Sequence, residues 1–171
     1  MRGLVPGGRV AIYDDEHYYL GGALALQLAA RGVKVTLVTP ASMVCEWTRH
    51  TNEHVLTMRA LIDAGVETVT DRAITGFEPG ALRLECVYSG QSTLLAADYL
   101  VPVGARRPND ELFHALQGRR DEFERRGGLS IRPIGDCSAP GLIAAAVYAG
   151  HKAARELGRV QVEVKRDRVV L

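Results

Sequence analysis

Arg9-Val-Ala-Ile-Tyr13, then Asp14-Asp-Glu-His-Tyr-Tyr-Leu-Gly-Gly22, then, after a run of alanines and leucines, Lys34-Val-Thr-Leu-Val38: these three stretches decide the fold. The first is a short apolar run behind the turn-forming Pro6-Gly7-Gly8, which suits a buried strand of a parallel sheet. Gly21-Gly22 opens a segment of helix-forming composition that Arg31-Gly32 stops. The third stretch is a second strand. Strand, helix and strand within about thirty residues make a right-sized βαβ unit, and the fold class that follows is α/β, built on a Rossmann-like parallel sheet.

Working outward, residues 51–64 carry Val55, Met58, Leu61 and Ile62 at helical spacing, with Thr51 or Asn52 placed to cap the start and Gly65 to end it. Residues 66–70 read as a third parallel strand. From 74 to 103 the pattern becomes a series of short extended runs, at 74–77, 82–88, 92–96 and 99–103, punctuated by Pro79-Gly80 and Ser89-Gly90. That is an antiparallel β-meander inserted in the α/β unit. After the turn Gly104-Ala-Arg-Arg-Pro-Asn109, residues 111–117 and 121–126 are short, strongly charged helices. Ser130-Ile-Arg-Pro-Ile134 reads as another strand, which Pro133 places near a strand end or edge. Residues 142–158 form the clearest helix, and 160–171 alternate apolar and charged residues, as an edge strand or the remnant of a longer polypeptide does. The expected division is at residues 1–105 and 106–171.

Of the 171 residues, 47% are apolar and 24% charged, the usage of a folded globular chain rather than a disordered one. Lys and Arg number 21 against 20 Asp and Glu, which leaves no electrostatic footprint for nucleic acid or an anionic membrane. Cys45, Cys86 and Cys137 are far apart, form no C-x-x-C pair and leave one unpaired in any disulfide scheme, so a reducing, cytoplasmic setting is expected. Residues 1–8 hold no apolar run of signal-peptide type, and no stretch approaches a membrane span.

The first strand-to-helix turn of a dinucleotide fold normally carries G-x-G-x-x-G, because glycines let backbone amides approach the pyrophosphate and leave the helix N-terminus open to it. Here three carboxylates, Asp14, Asp15 and Glu16, stand where two phosphates would sit, and tyrosines replace glycines. The second strand ends in Thr39-Pro40, without the acid that accepts ribose hydroxyls in NAD sites. The turn therefore does not suit NAD(P). Asp14, Asp15, Glu16 and His17 have metal-ligand chemistry, but four adjacent residues seldom point at one ion, and the reading here is a solvated loop.

A second place of interest is Ile134-Gly-Asp-Cys-Ser-Ala-Pro-Gly141, directly before the long helix. An Asp at the end of a parallel strand accepts hydrogen bonds from sugar or ribityl hydroxyls, while free amides at the next helix's N-terminus face a pyrophosphate. Gly135, Asp136, Ser138 and Gly141 are thus candidate binding residues for FAD or ADP. Equally, Asp136 or Ser138 simply caps the helix, and spacing alone leaves both readings open. Tyr148-Ala-Gly-His-Lys152 sets Tyr148 and Lys152 on one helical face, the pair by which short-chain dehydrogenases deliver a proton. That reading also needs a glycine-rich cofactor turn, which is missing, and a serine spaced well upstream, whereas Ser138 lies close to the start of the same helix. His50, His54 and His114 have no acid, Ser or Cys arrangement around them, and Trp47 reads as packing or interface.

The runs Val10 to Gly22, Val35-Thr-Leu-Val-Thr-Pro40, Glu46-Trp-Thr48, Ile134-Gly-Asp136 and Ala144-Ala-Ala-Val-Tyr-Ala-Gly-His151, in this order, resemble the C-terminal part of the NADH:flavin oxidoreductase family. Within it they resemble the trimethylamine and histamine dehydrogenase branch, related to 2,4-dienoyl-CoA reductase. The resemblance implies an FAD/NAD(P)-binding-domain type of fold, with an NAD-like domain over residues 9–105 inserted into an FAD/ADP-binding domain whose returning segment is residues 129–158. Family enzymes add an FMN-bearing barrel and an iron–sulfur segment, and neither a barrel nor a cysteine cluster occurs in this chain. The FAD/ADP site is also expected to be incomplete, because no preceding strand with a glycine loop is present.

The function these readings imply is the nucleotide-binding or scaffold portion of a flavin-dependent, amine dehydrogenase-like oxidoreductase, inactive by itself. Its expected partners are the FMN-barrel and FAD-domain portions of a parent enzyme, with a homo-oligomer left open and no nucleic acid or membrane. The alternative is a stand-alone, non-catalytic interaction module. A short-chain dehydrogenase using Tyr148 and Lys152 ranks behind both.

Overall fold

A strand whose residues are apolar on both faces needs cover on both sides, and β1 (Arg9–Asp14) has that pattern. The computed structural model describes residues 7–104, 106–125 and 131–158. They fall into two compact units, within Met1–Ala105 and Arg106–Leu171.

In the first unit β1 pairs in parallel with β2 (Lys34–Val38), Val10 opposite Val35 and Ile12 opposite Leu37. The helix between them, α1 (Leu20–Ala29), completes the expected βαβ unit, and Gly32 follows it at φ +78, a conformation that glycine adopts without strain. After a 3-10 turn at Glu46–Thr51 come α2 (His54–Asp63) and β3 (Glu67–Val69), which lies parallel to β2. Helix α2 starts later than its spacing predicts. Thr51 belongs to the preceding turn, Asn52 closes that turn in the left-handed region at φ 61, and neither caps α2.

Three antiparallel strands follow, β4 (Arg72–Glu78), β5 (Ala81–Cys86) and β6 (Ser92–Ala96). The fourth extended run, β7 (Tyr99–Val103), does not belong to the meander in which the sequence pattern places it. It returns to the parallel sheet beside β1, giving the order β3-β2-β1-β7. Hydrophobic pattern marks a strand but not its partner. Pro102, which has no N–H to donate, is tolerated because β7 lies at the edge.

The two faces of β1 supply two apolar clusters. Val10 and Ile12 pack with Ala25 of α1, Leu37 of β2 and Leu61 of α2. Ala11 packs on the opposite side with Val38, Leu82 and Leu84, so the small antiparallel sheet covers the face that the helices leave bare. The result is the α/β architecture predicted from sequence, a Rossmann-like parallel sheet carrying an antiparallel insertion.

The second unit contains α3 (Glu111–Gln117), α4 (Arg120–Arg125), a 3-10 turn at Gly135–Cys137 and α5 (Ile143–Glu156). Of the strand expected at 130–134, residue 130 lies outside the described residues, and 131–134 join no ladder among them. Ile134 is extended, but a strand requires a neighbour to pair with, and here Arg132 instead binds Glu156 Oε2 at 2.9 Å and the Ala153 carbonyl at 2.6 Å. The expected tail strand at 160–171 lies outside the described residues. No residue of α5 is buried, and Ile143 and Tyr148 are 85% and 69% exposed. Among the described residues no helix is long and apolar enough to cross a membrane.

Ile12 sits at the centre of this arrangement with no exposed surface. Ile12→Ala is expected to lower unfolding free energy by ~2–5 kcal/mol and Ile12→Val by about 1 kcal/mol, read from urea denaturation midpoints at constant m.

Candidate functional site

In parallel α/β sheets, ligands bind where strands end and helices begin. At the end of β1 the Asp14 side chain turns inward and is completely buried. Its Oδ1 accepts the amides of Glu16 at 3.2 Å and His17 at 3.0 Å, while Oδ2 finds no hydrogen-bond partner among the described residues. Burial holds the carboxyl above the ordinary carboxylate range, opposed by those two amides. The solvated-loop reading holds for exposed Asp15 and fails for Asp14, because the side chain at the last position of β1 points beneath α1.

Two glycines make this possible. A Cβ on Gly21 would lie 2.7 Å from Asp14 Cγ and 2.8 Å from Oδ2, and one on Gly22 would lie 2.8 Å from Cys45 Sγ. Cys45 is itself fully buried, with a left-handed backbone at φ 52, and its thiol is pushed up to about 11 by burial and by nearby Asp14. The glycines at the start of α1 thus admit two side chains of this protein. A second left-handed residue, His17 at φ 64, is latched on both sides: its carbonyl accepts the Trp47 amide at 2.9 Å, and its Nδ1 meets Thr39 Oγ1 at 3.3 Å. Thr39 is buried and also accepts the Ala41 amide at 3.3 Å.

The second candidate site lies in the second unit. Gly135, at φ +62, Ser138 and Ala139 face Ala145, Ala149 and Ala153 of α5 across an open groove of about 300 Å³. Gly135 and Ser138 line that groove; Asp136 and Gly141 do not. Asp136 Oδ1 instead accepts the Gly141 amide at 3.2 Å, bracing the loop before α5. Neither Asp136 nor Ser138 caps the helix, whose N-cap, Leu142, has no side-chain hydrogen bond to offer. Arg106 Nη1 donates to the Gly141 carbonyl at 3.3 Å, which sets a guanidinium beside this helix start. Sequence reasoning missed Arg106; the signal was a pair of arginines directly after an apolar strand.

The other candidates do not assemble into a site. Lys152 lines the groove and faces Glu156 at 3.9 Å, whereas Tyr148 lies outside the groove. No group of three or more His, Cys, Asp or Glu side chains close enough to hold a metal ion occurs among the described residues. Cys86, also passed over in the sequence, has its thiol lowered to about 7 by the Ser89 side chain and the amides of the β5–β6 turn.

Strand order and the antiparallel insertion together define a Rossmann-like α/β class of chain. Within that class the chain is similar to the C-terminal nucleotide-binding region of trimethylamine/histamine dehydrogenase-like enzymes. The solved structure of histamine dehydrogenase from Rhizobium sp. 4-9 superposes with a TM-score of 0.85 at 37% identity, over 98% of this chain and 26% of that one. For 6-hydroxypseudooxynicotine amine oxidase from Pseudomonas geniculata N1 the TM-score is 0.80 at 39% identity, over 90% of this chain and 23% of that one. Dimethylamine dehydrogenase from Hyphomicrobium sp. (strain x) is 27% identical over 169 residues, 88% of this chain and 23% of its own. No family model matches. The chain therefore spans about a quarter of the length of each of these relatives.

Two expectations follow from the first turn. The native state holds the Asp14 proton to higher pH than the unfolded chain does, so stability from this group is full below the ordinary carboxylate range, about pH 4, and is lost as pH rises through the native value. Asp14→Asn, which keeps an oxygen for the Glu16 and His17 amides, removes that loss. In urea titrations from acid to neutral pH, the stability gap in favour of Asn should widen as pH rises. Gly22→Ala should destabilise by roughly 1–2 kcal/mol through overpacking against Cys45 and become neutral or stabilising in a Cys45→Ala background; additive effects would break the argument.

Proposed function

We propose that this chain is the nucleotide-binding or scaffold portion of a flavin-dependent, amine dehydrogenase-like oxidoreductase and carries no redox step of its own. The observation that carries the reading is the start of α5. Its first-turn amides lack a side-chain cap, Gly135 adopts a positive φ next to it, and exposed Asp136 and Arg106 stand beside it. Free amides at a helix N-terminus with a nearby guanidinium suit the diphosphate of ADP or FAD, and an exposed Asp suits sugar or ribityl hydroxyls. Gly135, Asp136, Ser138 and Gly141 fit one wall of such a site. The remaining walls come from other parts of the parent, in keeping with a span of about a quarter of each relative.

On this reading residues 1–105 are an NAD-like domain and 106–171 the returning segment of an FAD/ADP-binding domain, with the FMN barrel and the rest of the FAD domain as partners. FMN and any iron–sulfur cluster belong to those partners. Free Cys45, Cys86 and Cys137 suit a cytoplasmic setting. A second reading, a non-catalytic interaction module that binds no nucleotide, draws support from the exposed Ile143, Val147 and Tyr148 of α5, an apolar surface of the kind that docks against another protein.

Titration of the 15N-labelled chain with ADP, FAD and NADH separates these readings. ADP and FAD are expected to shift the amides of Gly135, Ser138 and 141–144, with Asp136→Ala weakening the effect roughly tenfold. Silence at all of these amides favours the interaction module, and NADH binding with turnover overturns the proposal in favour of a dehydrogenase.

A further inference from the structure

We propose that the β1–α1 turn is a dinucleotide position filled from within, with the Asp14 carboxyl and the Cys45 thiol standing where a pyrophosphate would meet α1, and that removing Asp14 reopens an anion site there. The fold implies a dinucleotide at this turn, and the residues present do not fit one. Helix α1 has ten residues, long enough to present a positive N-terminus. In an open cradle the glycines of the first turn let a phosphate approach the backbone. Here the space above Gly21 holds the Asp14 carboxyl, 2.7–2.9 Å from where a Cβ would stand, and the space above Gly22 holds Cys45 Sγ. The sulfur thus stands against Gly22, whose amide is one of the donors a phosphate would use.

The fully buried Oδ2 of Asp14 is aimed at this helix start and has no partner among the described residues. A buried oxygen is left without a hydrogen bond only where the surroundings hold it in place. They do so here through the Glu16 and His17 amides on Oδ1, the Asp15 amide on the Val103 carbonyl at 2.7 Å and the Trp47 amide on the His17 carbonyl. The ribose side is closed in the same way. Thr39, at the end of β2, turns its hydroxyl to His17 Nδ1 and the Ala41 amide. Phosphate and sugar positions are both taken up by groups of the chain, so the turn is a lock between β1, α1 and the residue 45–47 loop rather than an empty cleft.

The test uses the full chain, 15N-labelled, with inorganic pyrophosphate as the probe. In the wild-type chain the amides of Gly21, Gly22 and Ala23 should stay unmoved; a shift there overturns the inference. In Asp14→Gly, folded by circular dichroism, the same amides should shift, with an affinity at this turn at least about tenfold above wild type. A folded variant whose amides stay silent also overturns it. Should the glycine loosen the turn, Asp14→Ser carries the same test, since its hydroxyl still serves the Glu16 and His17 amides. Shifts at residues 141–144 report the α5 site separately, so failure of the proposed function and failure of this inference are told apart in one titration.

Discussion

The two-sided burial of β1 is the constraint on which the first unit depends. A strand carrying Val10 and Ile12 to one side and Ala11 to the other cannot lie at a surface, so both faces of the sheet must be covered. Helices α1 and α2 cover one. A three-stranded antiparallel sheet, rather than further helices, covers the other, and its Leu82 and Leu84 reach the small side chain of Ala11. Once β1 is fixed in this sandwich, its last residue is fixed too. The alternation that sends Val10 and Ile12 toward the helices sends Asp14 the same way, under the first turn of α1.

The two units surround a helix start differently: side chains pack against the first turn of α1, and an open groove lies beside α5. Every helix start exposes amides that need acceptors. At α1 the Asp14 carboxyl and the Cys45 sulfur fill the space beside Gly21 and Gly22, at the cost of dehydrating a carboxyl that then titrates above its ordinary range. At α5 the N-cap is Leu142, which has no acceptor to give, and the nearest carboxylate, Asp136, is turned to Gly141.

Much of this was legible in residue order. The βαβ opening, the glycine stop after α1, the antiparallel insertion and α5 follow from local composition and period, which need no knowledge of partners. The placement of β7 does need it: Tyr99-Leu-Val-Pro-Val reads as one more strand of a meander, yet it pairs in parallel with Val10–Asp14 of β1. Residues 131–134 have strand composition yet no ladder, because pairing is not a property of a single segment. At the site, the missing glycine motif was readable as a mismatch with NAD(P). What could not be read was that one of three consecutive acids is buried. Composition treats Asp14, Asp15 and Glu16 alike, while the strand's alternation separates them. Cys45, distant in sequence and without a metal-type spacing, gave no signal that its sulfur would stand over Gly22.

Both units keep apolar side chains open to solvent. In the first unit the parallel sheet is covered on both faces and Asp14, Thr39, His17 and Cys45 pack at the ends of its strands, while Val55, Leu56 and Ile62 of α2 stay open to solvent. Among the described residues, the second unit has an extended segment that joins no ladder, a helix with no buried residue and apolar side chains such as Ile143 and Val147 open to solvent. Apolar surface of that kind is stable in water only at a cost that burial against another element removes. The start without a side-chain cap and the exposed Ile143, Val147 and Tyr148 lie on the same helix, α5.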